Sequence, residues 1–205
     1  MKVLENVKNY SLIMFLALGI LVVGCGDDDE APEEENTPEV ITDVKLIFTN
    51  TADASDVVEA SASDPDGEGV QELQISDQIT LGVNKTYRLT YEITNNVADP
   101  AEDIGEEIQE EDDEHQFFFS FTNGAFDSPT GDGNIDNAAD PINYEDSDGN
   151  GNNFGFTTSW TTGSTPLTAG TFLARLQHQP GVKTSTSTAT DGDTDFDLEF
   201  VLNIQ

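Results

Sequence analysis

The 205-residue sequence predicts an all-β fold, an Ig-like antiparallel β-sandwich with one short acidic helix. Two observations carry this expectation. Apolar and aromatic residues alternate with polar ones in short runs: Tyr87, Leu89, Tyr91 and Ile93 are separated by Arg88, Thr90 and Glu92, and Phe196, Leu198, Phe200, Leu202 and Ile204 face away from Asp195, Asp197 and Glu199. A period of two is what a strand with one buried face requires. Clusters of Gly, Asp, Asn and Pro punctuate the runs, as turns do. No internal repeat, heptad or long amphipathic helix competes with this pattern. The expected domain covers 40–205, an ordinary size for a sandwich.

Taken in order, Val40, Val44, Leu46 and Phe48 share one parity and form a first strand. A short run over 56–63 leads to the turn Asp64-Pro65-Asp66-Gly67-Glu68-Gly69. Leu73 and Ile75 are expected to face inward, then Ile79, Leu81 and Val83, then the Tyr87–Ile93 stripe. The segment 99–114 breaks the pattern, because ten of its sixteen residues are acidic. Asp99 suits an N-cap, Pro100 the first helical position and Glu102 a capping box. Ile104 and Ile108 share a helix face that continues through Glu111 to His115. Five acids, Glu110 to Glu114, crowd the negative end of the helix dipole, which favours a cation there.

The next strand sets His115, Phe117, Phe119 and Phe121 on one face and Phe118 on the other, so cover is expected on both sides. Residues 126–153 read as a Gly-, Asn- and Asp-rich loop. Phe154, Phe156, Thr158 and Trp160 resume the alternation, and Phe172, Ala174, Leu176 and His178 repeat it. The Ser/Thr run over 183–190 is expected to be a flexible hairpin tip.

Ahead of the domain, 1–24 read as a signal peptide: Lys2 and Lys8 precede an apolar run, Leu12 to Val23, too short to span a bilayer. The run ends Leu-Val-Val-Gly-Cys, which resembles a lipobox and makes Cys25 the expected lipidation site. Cys25 is the sole cysteine, so no intrachain disulfide can form. The stretch 25–39 is acidic, contains proline and lacks large apolar residues until the domain begins, so it reads as a solvated tether.

Seven Lys and Arg stand against 41 Asp and Glu, a formal charge of −34. Nucleic acid binding needs a basic footprint and is excluded on this charge. Cations and basic partners are favoured. No nucleophile elbow, phosphate-cradling glycine loop or free reactive thiol points to catalysis, so no enzyme activity is expected.

Two constellations suit metals. His115 opens an inward stripe and His178 closes one, and antiparallel pairing would join them at one end of the sandwich. With Glu111, Glu107 and Glu114 supplying oxygen, such a set suits zinc or copper. Sharing one ion needs ring nitrogens about 3–5 Å apart, given bonds near 2 Å. The alternative is that each ring caps a core stripe and bonds a backbone carbonyl. For calcium, Asp64, Asp66 and Glu68 and again Asp146, Asp148 and Asn150 follow a D-x-D-G-x-G spacing. Neither reaches a Glu at the twelfth position of an EF-hand loop, and plain Asp-Gly turn chemistry accounts for both. Asp132 and Asp136 form a weaker third candidate.

The stretch DPAEDIGEEIQEEDDEHQFFF, with LARLQHQPGVK and TDFDLEFVLNIQ, resembles a group of small Bacteroidota-type outer-membrane lipoproteins encoded near TonB-dependent receptors. The acid placed directly behind Cys25 is similar to their surface-export signal. The resemblance implies a lipid anchor in the outer membrane, at the cell surface or on the periplasmic face, and an accessory role beside an uptake receptor. It carries no catalytic residues. A structural or adhesive surface module with calcium-stiffened loops is the competing expectation.

Overall fold

The computed structural model describes residues 39–67 and 72–205. The expected signal peptide, Cys25, the tether as far as 38, and Glu68 lie outside the described residues. The described residues form ten strands and one helix, arranged as two facing sheets. The first sheet contains β1 (Asp43–Asn50), β2 (Val57–Ser63), β3 (Gln74–Ile75), β5 (Thr86–Thr94), β7 (Phe126–Ser128) and β8 (Thr158–Thr162), in the order β3-β2-β1-β5-β8-β7. The second holds β4 (Ile79–Leu81), β6 (His115–Phe121), β9 (Leu167–His178) and β10 (Asp193–Ile204), ordered β4-β10-β9-β6. Pairing is antiparallel throughout both sheets except for β4 on β10.

The stripes expected from parity line the core. Val44, Leu46 and Phe48 lie beside Ile93, Tyr91 and Leu89 in one sheet, and Phe172, Leu198 and Phe200 of the other sheet join the same core. Trp160 sits among aromatic rings, with its centroid 4.9 Å from Phe172, 5.0 Å from Phe126 and 5.2 Å from Phe119. Ile75 departs from expectation: it is exposed on the two-residue strand β3, while Leu73 packs against the core. An edge strand this short has no second layer to bury it.

The helix α1 (Ile104–Glu110) begins four residues later than Asp99 suggested. Asn95 and Glu102 exchange both backbone hydrogen bonds, at 3.0 and 3.1 Å, and so keep the preceding chain extended. Asp103 is the N-cap and accepts from the Glu106 N–H at 3.2 Å. Ile104 and Ile108 are buried together as their spacing requires.

β6 is an edge strand, yet its outer backbone groups are used. Phe117 N donates to the Phe154 carbonyl, Phe121 N to that of Asp132, and Phe119 N to Asn134 Oδ1, at 2.8–2.9 Å. The long loop after β7 thus covers the edge, which protects it from pairing with another chain. Gly133 makes the approach possible. Its φ is +105°, and a Cβ there would lie 2.1 Å from the Phe119 carbonyl oxygen.

The run 183–190 is folded back over β9 rather than free. Arg175 and Gln179 donate to the carbonyls of Ala189 and Thr188, and Ser187 and Ala189 are buried. Thr184 Oγ1 accepts from Thr186 N, and Asp191 Oδ2 accepts from both Thr188 N and Thr188 Oγ1; these local bonds organise its turns, which is why a Ser/Thr run need not be flexible.

Candidate metal centre

His115 and His178 are directly paired across β6 and β9, on the face that continues the core stripes. Both are buried, and their rings lie parallel at 4°, with centroids 4.5 Å apart. Beyond them Gln179 N donates to the Glu114 carbonyl at 2.6 Å, which ties the exit of β9 to the residue before β6.

The surroundings of His115 are unusual. Nδ1 faces the Glu111 carbonyl oxygen at 3.1 Å, and a carbonyl can only accept, so Nδ1 carries the proton. Nε2 is buried, makes no hydrogen bond among the described residues, and faces Glu39 Oε1 at 3.2 Å and Asp195 Oδ2 at 3.8 Å. In the neutral ring Nε2 presents a lone pair to two carboxylates. That arrangement needs positive charge, from a second proton or a metal ion. The charge balance of the cluster reflects this. Burial alone would lower the His115 pKa, but Glu39, Asp195 and the Glu111 carbonyl together raise it. Burial pushes Glu39 up, yet the His115 ring, the backbone N–H of Glu39 itself and His178 together outweigh it, and the carboxyl ends below its ordinary value. Burial, reinforced by Glu39, pushes Asp195 up to about 7.

One ligand atom from each of Glu39, Glu111, His115 and His178 lies within 4.8 Å of the others. Tetrahedral ligands with bonds near 2 Å sit about 3.3 Å apart, so closing on one ion is a contraction of an ångström or so. The exposed Glu111 carboxylate can swing to supply part of it. The parallel stack imposes a second adjustment. Imidazole lone pairs lie in the ring plane, so in a stack they run side by side, and sharing an ion requires one ring to tilt.

Of the residues expected from sequence, His115, His178 and Glu111 meet here. Glu114 touches His178, Oε2 to Nε2, at 3.6 Å but lies outside the four-residue set. Glu107 is exposed on α1 and outside the set; its carboxyl is raised by burial first and then by Glu102, Glu39 and Glu111. Two participants escaped sequence reasoning. The composition of 25–39 places Glu39 in the tether, and nothing in Pro38-Glu39-Val40 marks it as a site residue. Asp195 was expected to face outward, but the β10–β9 register shifts between Thr194 and Phe196. The bulge leaves Asp195 as the extra residue, and its side chain is only 2% exposed.

No family model, curated protein or solved structure matches this chain.

The remaining acids have other work. Asp146 accepts from the N–H groups of Gly155 and Thr157, at 2.6 and 2.5 Å. Asp148 accepts from Asn150 N and Asn152 N through Oδ1 and from Asn152 Nδ2 through Oδ2. Asp148 Oδ2 also lies 3.4 Å from the buried Lys183 Nζ, which donates to the Asp112 carbonyl. Lys183 is therefore a built-in cation near the acid-crowded end of α1. Asp64 Oδ1 accepts from Asp66 N at 3.2 Å, an ordinary Asx turn. Asn150 is exposed beside its loop.

Proposed function

We propose that this chain is a non-enzymatic metal-binding protein whose ion, zinc or copper, is held by His115 and His178 with Glu39 and Glu111. The His115 ring carries the reading: one nitrogen is spent on a carbonyl, and the other is buried between carboxylates, without a hydrogen bond among the described residues. Imidazole with carboxylate suits zinc and copper better than the hard cations calcium and magnesium. A ligating histidine characteristically gives its second N–H to a carbonyl or carboxylate, the role Glu111 O fills. Anchoring through Cys25, placement at the outer membrane, and delivery of the ion to a TonB-dependent uptake receptor complete the proposal. Those parts rest on the Leu-Val-Val-Gly-Cys motif, the acidic stretch behind it and the family resemblance.

Calorimetric titration of zinc and copper(II) into the wild type and a His115→Ala/His178→Ala double variant tests the ion. One equivalent is expected, with affinity falling by about 100-fold or more in the variant. Equal affinity would overturn the proposal.

A second reading has one observation in its favour. The parallel rings do not converge on a point, and a proton on His115 meets the same charge demand. The domain is then a structural or adhesive surface module without a transition metal. Calcium-stiffened loops gain little support in that reading, because calcium would have to displace the backbone donors on Asp146 and Asp148.

A further inference from the structure

Asp195 stands outside the four-residue set, yet its surroundings are those of a ligand. Its side chain is 2% exposed, and Oδ2 accepts no hydrogen bond among the described residues. A buried carboxylate oxygen without a donor carries its full desolvation cost. Oδ2 instead faces His115 Nε2 at 3.8 Å, and Glu39 Oε1 faces the same nitrogen at 3.2 Å. Tetrahedral ligands with bonds near 2 Å stand about 3.3 Å apart, so Glu39 is already at ligand spacing and Asp195 is about half an ångström beyond it.

The nitrogen that Asp195 faces separates two roles. A carboxylate that orients a ligating histidine from outside takes the ring's N–H. In His115 that N–H is on Nδ1 and goes to the Glu111 carbonyl. Asp195 faces the other nitrogen, where the neutral ring offers only a lone pair. Two acceptors cannot bond each other, but an ion between them bonds both. His178 repeats the pattern: it is buried, and its Nε2 likewise has no hydrogen bond among the described residues. Two buried imidazole nitrogens without donors or acceptors of their own are an observation independent of the acids, and a metal ion is what such nitrogens bind.

We infer that Asp195 is a further ligand of the ion proposed above, bound through Oδ2 beside Glu39 Oε1 at His115 Nε2. The inference rests on that reading and adds β10 to it. The strands β6, β9 and β10 are neighbours, His115 pairs with His178, and His178 pairs with Asp193. Unbroken alternation from Phe196 would turn residue 195 outward. The register shift between Thr194 and Phe196 brings its carboxylate inside instead, as bulges do beside functional sites. Three adjacent strands then each give one ligand from the same end of the sheet. Glu39, His115, His178 and Asp195 all have side chains less than a tenth exposed. The exposed Glu111 carboxylate is therefore the ligand that an arriving or departing ion meets first.

Two measurements test the assignment. Zinc is titrated by calorimetry into the wild type, Asp195→Asn and Asp197→Asn. Asp197 lies on the same strand but is exposed and paired with Arg175, so its variant controls for the loss of one charge. Asp195→Asn should weaken zinc by about 10–100-fold, no less than outer-shell partners typically carry, while Asp197→Asn keeps wild-type affinity. In zinc-loaded crystals of the wild type, the anomalous scattering of the ion should place it about 2 Å from an Asp195 oxygen. Melting curves verify that Asp195→Asn is folded; if it is not, the wild-type ion position decides. Wild-type zinc affinity in Asp195→Asn, equal losses in both variants, or an ion seated on the histidines beyond bonding reach of Asp195 would overturn this inference and leave the metal reading standing. Failure of the wild type to bind zinc or copper(II) at all would remove both.

Discussion

Zinc should stabilise this domain, and by an amount that grows with pH. An ion that binds only the folded chain contributes RT ln(1 + [L]/Kd), about 2.7 kcal/mol at a hundredfold excess over Kd. For a domain of roughly 165 residues each kcal/mol moves the melting temperature by about 2–4 °C, so the shift is about 5–10 °C. The pH dependence follows from the protons the ion displaces. His115 has a raised folded pKa, so its contribution to the metal-free fold is complete below its ordinary 6.5 and is lost as pH climbs through the raised value. Asp195, raised from 3.8 to about 7, acts in the same direction: the folded chain keeps a proton that the unfolded chain has released, and stability falls between those two pH values. Above about pH 7 Asp195 has shed its proton, and His115 sheds its own as pH passes its raised value; the cluster is then short of positive charge, and an ion meets least competition. Melting curves at pH 5.5, 6.5, 7.5 and 8.5, with EDTA or with zinc, should diverge steadily. A gap that stays constant with pH, or that persists in the His115→Ala/His178→Ala variant, would refute the reasoning.

Three further outcomes test the scaffold. Gly133→Ala puts a Cβ 2.1 Å from the Phe119 carbonyl in a left-handed conformation; it should cost about 2–4 kcal/mol in urea unfolding and loosen the cover on β6. Lys183→Met leaves the buried Asp148 carboxylate without its cation and should cost about 3 kcal/mol, with Lys183→Met/Asp148→Asn recovering part of that in a double-mutant cycle. Asp103→Ala removes the N-cap of α1, with an expected loss of about 1 kcal/mol by the same assay.

The strands were legible because a half-buried strand advertises itself every second residue. Tyr87 to Ile93 and Phe196 to Ile204 needed no tertiary information, and the core they line is the one their parity implied. The joining of His115 to His178 was legible for the same reason, since each ends a stripe and antiparallel neighbours share a face. What escaped reading depends on pairing partners remote in sequence. The start of α1 was set by Asn95 bonding to Glu102, not by the better-looking cap at Asp99. The 183–190 run gained its order from Arg175 on β9 and Gln179 just after it, which a local view of serines and threonines does not contain.

Asp195 is the most instructive of these, because the rule that succeeded along the rest of β10 is the rule that misplaced it. Period-two alternation assumes an unbroken ladder, and one extra residue between Thr194 and Phe196 shifts the register locally. The downstream stripe is unaffected, since Phe196 to Ile204 still face inward, so stability gives no sign of the irregularity. Its effect is confined to one carboxylate, removed from solvent and set opposite the His115 ring. A bulge costs a ladder hydrogen bond, and burying an acid costs more. The strand's other register shift, between Leu202 and Ile204, falls at Asn203 and buries no acid; that the shift at Thr194–Phe196 does so, where two histidines end their stripes, is the structural ground on which the metal proposal stands.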